Sequence, residues 1–205
     1  MTRDAIVKKV LHVGCGPARK SQMPPAFQGD DWQEVRCDID PSAEPDIVAD
    51  MRDLSKIAPG SFDAVYSSHN IEHVFAHEVP VVLKEFAQVL SPDGVLVITC
   101  PDVQALGQAL ADGKLLDTLY ESPAGPIAAI DILWGHRASI AAGQVYMAHK
   151  VGLTAQVLLQ TLTSSGFGAA VCLRQPQAFA LWAIATRSAV SNERLMELRQ
   201  IFLPQ

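Results

Sequence analysis

The chain has 205 residues, 49% of them apolar, and a formal net charge of −6. That length supports one substantial core, so a single domain over residues 1–205 is expected, and an acidic chain without a Lys/Arg cluster is a poor fit to extended nucleic-acid binding. No apolar run approaches bilayer-spanning length and Met1–Ala5 lack a signal-type apolar core, so a cytoplasmic protein with no membrane partner is expected. Cys15, Cys37, Cys100 and Cys172 show no C-x-x-C pairing and read as small buried residues.

In chain order, Val10-Leu11-His12-Val13 runs straight into Gly14-Cys15-Gly16-Pro17, a strand that ends in a turn where backbone can be closely approached. Residues 17–33 contain Pro24-Pro25 and little helical periodicity, so the crossover there is expected to be short or irregular. A second strand then ends in Val35-Arg36-Cys37-Asp38-Ile39-Asp40-Pro41, with the acid Asp38 at the spacing from the glycine turn that suits a carboxylate set against ribose hydroxyls. Only Pro41-Ser42-Ala43-Glu44-Pro45 separates it from Asp46-Ile47-Val48-Ala49, too little for a helical crossover: either that helix is trimmed to a loop or the third strand lies elsewhere.

Phe62-Asp63-Ala64-Val65-Tyr66 reads as a fourth strand after the Pro59-Gly60 turn, and residues 78–90 as an amphipathic helix stopped by Ser91-Pro92-Asp93-Gly94. The apolar run Val95–Thr99 is a central strand, after which Asp102 caps a helix that Asp112-Gly113 ends. Residues 113–150 lose periodicity and suggest an inserted lid or substrate loop. Thr154 caps another helix that stops at Gly166, residues 169–173 and 179–185 form a hairpin, and a final helix from Ser191 packs either on the body or on another subunit.

These pieces resemble the class I S-adenosylmethionine-dependent methyltransferases, in their small type 11-like branch. Val13-Gly14-Cys15-Gly16, Cys37-Asp38-Ile39-Asp40-Pro41, Asp50-Met51, Phe62 to Val74 and Val89-Leu90-Ser91-Pro92-Asp93-Gly94 are similar to five successive family motifs. His149-Lys150 ahead of Gly152-Leu153-Thr154, Ser165-Gly166-Phe167 and Leu181-Trp182 are similar to the branch's C-terminal third. The resemblance implies a Rossmann-like open α/β sheet of seven strands in the order 3-2-1-4-5-7-6, mostly parallel with an antiparallel strand from the C-terminal hairpin.

It also implies S-adenosylmethionine as cofactor, S-adenosylhomocysteine as product, and a methyl acceptor that is favoured to be a small molecule. Gly14, Cys15 and Gly16 would let backbone approach the methionine part, Asp38 would accept both ribose hydroxyls, and Ile39 would pack on adenine. Asp50 would accept from the adenine amino group while Met51 backbone reads the ring edge, and Ser67 and His69 would border the methyl end. The shortened crossovers imply a more open adenine side. Candidates for a general base are His69, Asp131, His136 and Tyr146.

Two other readings stand beside this one. His69-Asn70-Ile71-Glu72-His73 is an H-x-x-E-H pattern that His77 continues, which on a helix would make a zinc stripe with Glu72 as base of a hydrolase. Against it, the segment follows a strand directly, so His73 is expected to hydrogen-bond near the strand end, His77 to be solvated, and no metal ligand is assigned. The third reading is a non-catalytic protein that binds S-adenosylmethionine or a nucleoside and regulates a partner.

Overall fold

The computed structural model describes residues 7–122 and 124–204; Met1–Ala5, read above for a signal core, lie outside the described residues. Its strands and helices follow in the order β1 (Lys8–Val13), β2 (Trp32–Asp38), β3 (Ile47–Val48), β4 (Phe62–Ser68), α1 (Val79–Val89), β5 (Leu90–Pro101) and α2 (Val103–Ala111). After these come β6 (Thr118–Ser122), β7 (Gly125–Ala128), α3 (Ala129–Trp134), α4 (Arg137–Ala141), α5 (Ala155–Ser164), β8 (Ala169–Gln175), β9 (Ala180–Thr186) and α6 (Asn192–Phe202).

Seven strands form one sheet in the order β3-β2-β1-β4-β5-β9-β8. The pairs from β3 through β5 are parallel, and β9 runs antiparallel to both β5 and β8. This is the Rossmann-like sheet that the resemblance implies, with the C-terminal hairpin supplying the reversed strand. Strand order turns around at β1 and β4, where crevices open beyond the carboxyl ends of parallel strands.

Successive side chains of a strand point to opposite faces, and here both faces are covered. Leu11, Val65, Leu96 and Ile98 join one core with Leu83 and Phe86 of α1 and Leu158 and Leu162 of α5. Val10, Ala64, Tyr66 and Val97 join the other with Leu195, Leu198 and Phe202 of α6. The final helix therefore packs on the body, and its N-terminus is capped by Ser191, whose hydroxyl accepts from Arg194 N at 3.2 Å.

Both early crossovers are trimmed. The first holds two 3-10 turns, Lys20–Gln22 and Pro25–Phe27, and the second a single one, Pro41–Ala43. Phe27 anchors the first by entering an aromatic cluster, with ring centroids 5.0 Å from both Trp32 and Phe202. Arg36 ties the two together: Nε donates to Ala18 O at 3.2 Å, Nη1 to Glu44 O at 2.6 Å, and Nη2 to Ala43 O at 3.0 Å and to Gly16 O. Glu34 adds a second clasp, accepting from Lys20 N at 2.8 Å while its other oxygen lies 2.6 Å from His12 Nδ1.

Residues 113–150 are more structured than the sequence suggests. β6 and β7 pair as a separate antiparallel hairpin, and Leu106, Ile127, Ala129 and Ile132 form a small third core beneath it. The elements are short and carry Gly125-Pro126, which read as breakers. Ser91–Gly94, expected as a turn, is part of β5, where the pairing with β4 shifts register between Phe62↔Leu90 and Ala64↔Val95. The four cysteines are free, and burial pushes the Cys37 thiol up to about 12. No helix among the described residues is long and apolar enough to cross a membrane.

Candidate active site

β1 and β2 end together, and their carboxyl edge is knit by backbone. Gly14 N and Cys15 N both donate to Cys37 O, at 2.8 and 3.2 Å, so the glycine turn folds against the end of β2. Gly16 N donates to Asp38 Oδ2 at 2.7 Å and Asp40 N to Asp38 Oδ1 at 2.9 Å. Each carboxylate oxygen thus holds one N–H and keeps a second lone pair for another donor. Ile39, beside it, is 51% exposed, an apolar side chain left on the surface at the sheet edge.

The two glycines serve different ends. Gly16 has φ +48°, and a Cβ there would meet no atom within 4 Å, so its backbone faces open space. A Cβ on Gly14 (φ +64°) would lie 2.0 Å from Asn70 Oδ1. Asn70 crosses over Gly14 and donates from Nδ2 to Val13 O and Ser68 O, both at 2.9 Å, stitching the end of β1 to the end of β4. The expectation that Gly14 leaves room for a cofactor is corrected to this extent: its Cβ side is filled by Asn70, and the opening lies over Gly16. Gly14→Ala is expected to lower stability by about 2 kcal/mol, through left-handed backbone and overpacking, as read by urea denaturation.

Residues 11–98 match the family model described as a methyltransferase domain. Among solved structures, a protein described as a SAM-dependent methyltransferase from Methanosarcina mazei superposes with a TM-score of 0.58 at 18% identity, over 89% of this chain and 93% of that one. A Burkholderia thailandensis 1,6-didemethyltoxoflavin-N1-methyltransferase, solved with 1,6-didemethyltoxoflavin and S-adenosylhomocysteine, gives 0.53 at 14% identity over 88% and 71%. The CMeT domain of citrinin polyketide synthase gives 0.57 at 15% identity, over 89% of this chain and 47% of that one. The chain spans about half to three-fifths of the first structures it matches, at 47%, 62% and 50% of their lengths. No curated protein matches it by sequence. Over residues 11–98 the chain is similar to a methyltransferase domain, and its fold is the one these solved methyltransferases share.

The residues at the carboxyl edge fit the cofactor of such a domain: a carboxylate with free lone pairs, open space beside the half-buried Gly16 and an exposed apolar side chain stand side by side. Met51 is half-buried, Cys15 is buried under the turn, and Ser67 is buried at the end of β4. Asp50 departs from its expected role. Its Oδ1 accepts from Arg52 N at 2.9 Å and Nε at 3.0 Å, and its Oδ2 shares the same Nε–H at 3.0 Å and accepts from Nη2, so Arg52 occupies most of its acceptor sites. Arg52 in turn donates to Glu78 Oε1 at 2.7 Å, and this bonding holds the Asp50 carboxyl below its usual range.

Of the candidate bases, His69 directly follows β4. It adopts φ +53°, donates its N–H to Thr99 O at 2.9 Å, and leaves its side chain 53% exposed. A left-handed non-glycine residue is a strained one, retained where its surroundings fix it. Tyr146 donates its hydroxyl to Asp40 Oδ2 at 2.9 Å, which brings the insertion back across the chain to the end of β2. His136 precedes α4 and places Nδ1 2.8 Å from Ser139 Oγ. Asp131 is buried and committed elsewhere: Oδ2 accepts from Ala128 N, and Arg137 Nε and Nη2 bind the two oxygens at 2.7 and 3.0 Å. That makes it a brace for α3 and α4 and rules it out as the base.

Burial pushes the Asp131 carboxyl up, but the Arg137 side chain and two backbone N–H groups outweigh it and bring it down to about 2 from the ordinary 3.8. A carboxyl held lower in the folded state contributes stability that is complete above the ordinary value and lost as pH falls towards 2. Acid titration followed by circular dichroism is therefore expected to show a loss below about pH 4 that Asp131→Asn lacks.

The helical zinc stripe does not form. Residues Ile71–His73 make a single 3-10 turn and α1 starts only at Val79, so His69, His73 and His77 do not share a helix face. His77 is exposed, as expected, and His73 bonds near the strand end through Nδ1 to Ala148 O at 3.2 Å. Sequence reading missed the partner on the other side, His149, whose ring lies 4.9 Å from that of His73. No spacing rule joins residues so far apart in sequence. Two shallow surface depressions lie away from the glycine turn, one against Pro59, Lys84 and Arg187 and the other against Pro126, Asp131 and His136.

Proposed function

We propose that this domain transfers a methyl group from S-adenosylmethionine to a small-molecule acceptor. The observation that carries the reading is Asp38: it ends β2 beside the strand-order reversal, with a free lone pair on each oxygen and the bare backbone of Gly16 alongside. In this reading Asp38 accepts the ribose hydroxyls, Ile39 packs on adenine, the Gly16 backbone approaches the methionine part and Met51 backbone reads the ring edge. Asp50, which pairs through both oxygens with Arg52, is the weaker candidate for the adenine amino group.

The bound cofactor supplies a methyl group already activated by sulfonium charge. What the chain must add is alignment of the acceptor in line with the breaking bond and removal of water as that charge disappears. Ser67 and His69, at the end of β4, border the methyl end, and His69 is the candidate base that keeps an exposed imidazole there. The insertion at 113–150 forms the acceptor side, held to the β2 edge through the Tyr146 to Asp40 bond. The exposure of Ile39 and Val48 supports an open adenine side.

Calorimetry with S-adenosylhomocysteine tests the cofactor reading, and transfer of labelled methyl to a panel of small nucleophiles tests the reaction. Micromolar binding and label in a small product are expected. Absence of binding overturns the whole reading, while binding without transfer favours a protein that only senses the cofactor.

A further inference from the structure

We propose that Glu72, His73 and His149 form a binding site for a divalent transition-metal ion of the zinc type. One carboxylate oxygen of Glu72 and one ring nitrogen from each histidine lie within 4.8 Å of one another. Two imidazoles and a carboxylate are the donor set of three-ligand zinc and other transition-metal centres, which keep at least one position for an exchangeable ligand. None of these three ligands was assigned to S-adenosylmethionine, and His69, which lies beside Glu72, is the residue the two readings share.

The surroundings of each donor make the set more than a chance cluster. Metal-binding histidines characteristically donate their second ring N–H to a carbonyl or carboxylate, which fixes both tautomer and ring plane. His73 Nδ1 lies 3.2 Å from Ala148 O and His149 Nδ1 lies 2.8 Å from Ile132 O. Both histidines therefore present an unprotonated Nε2 as the nitrogen left for a ligand. On Glu72, Oε1 lies 3.3 Å from His69 Nδ1, so His69 orients the carboxylate from the exposed side.

The remaining oxygen, Glu72 Oε2, has no hydrogen-bond partner although Glu72 is 2% exposed. A buried carboxylate oxygen without a donor, on a side chain grouped with two imidazole nitrogens, is an unfavourable arrangement that a cation resolves. The frame exists without the ion. Lys150 N and Val151 N donate to the Glu72 carbonyl at 2.7 and 3.3 Å, fastening the His149 segment beside Glu72 and His73.

The test uses tag-free protein, stripped with chelator and titrated with Co²⁺ while visible absorption is recorded. One equivalent of Co²⁺ per chain, with d–d bands that Zn²⁺ abolishes, is expected. Glu72→Gln and His149→Ala should lose the bands, His77→Ala should keep them, and His69→Ala should weaken binding by about 10- to 100-fold. Circular dichroism checks that each variant is folded. The proposal is overturned if the wild-type chain takes up no stoichiometric Co²⁺ or Zn²⁺, or if folded Glu72→Gln and His149→Ala bind as it does. Titration of the same samples with S-adenosylhomocysteine keeps this outcome separate from that of the cofactor reading.

Discussion

Asp38→Ala is expected to weaken S-adenosylhomocysteine binding by about ten- to a hundredfold for each ribose hydrogen bond it removes. A hydrogen bond to a charged group is worth about 1.5–3 kcal/mol, and each 1.4 kcal/mol is tenfold in affinity. Two hydroxyls against two oxygens would place the combined loss at the upper end of that range or beyond it. The carboxylate has another task, since Gly16 N and Asp40 N both donate to it, so the substitution also loosens the turn. Calorimetry and ligand-free thermal unfolding separate these effects. A variant that melts lower yet binds as tightly as the wild type would make Asp38 a brace for the turn and nothing more.

Arg36→Met is expected to cost about 4 kcal/mol of folding stability in urea denaturation, in the class of changes that break a buried polar network. The guanidinium is buried and donates to four carbonyls, of Gly16, Ala18, Ala43 and Glu44, which belong to both shortened crossovers. Methionine keeps much of the side chain's bulk but no donor, so those carbonyls lose a shared partner. The crossovers should loosen first. Hydrogen exchange of the Gly16 and Asp40 amides, both held by Asp38, is expected to rise more than that of β5 at the centre of the sheet. Equal acceleration everywhere would mean that Arg36 supports the whole fold and has no special hold on the loops.

The open adenine side of the proposed cofactor site follows from the same feature. Helices after the first two strands would wall that side of the crevice; here 3-10 turns and the contacts of Arg36, Glu34 and Phe27 take their place. A nucleoside seated there would have Ile39 on one flank and more solvent on the other.

Strand and helix periods and glycine punctuation mark the individual elements, and the acid at the end of the second strand marks Asp38, because each is a local signal written within a dozen residues; the order of the strands in the sheet is what the family resemblance implies. The caps at Asp102 and Thr154 were legible for the same reason, and each side chain accepts from a backbone N–H in the first turn. The insertion was not, since its elements are too short for a period to emerge and are held by a small core of their own.

Sequence by itself determined the alternation of strand and helix, the order in which they occur, and which end of the sheet carries glycine and acid. Only tertiary structure decided which charged groups are committed and which are left for a ligand. Asp50 and Asp131 are as acidic as Asp38 on paper, but Arg52 and Arg137 reach them, and among the described residues no arginine pairs with Asp38 in the same way. Nor could spacing reveal that His149 arrives beside Glu72 and His73. Hydrogen bonds and close approaches between distant segments depend on where the folded chain puts them, and no local pattern of residues encodes that position.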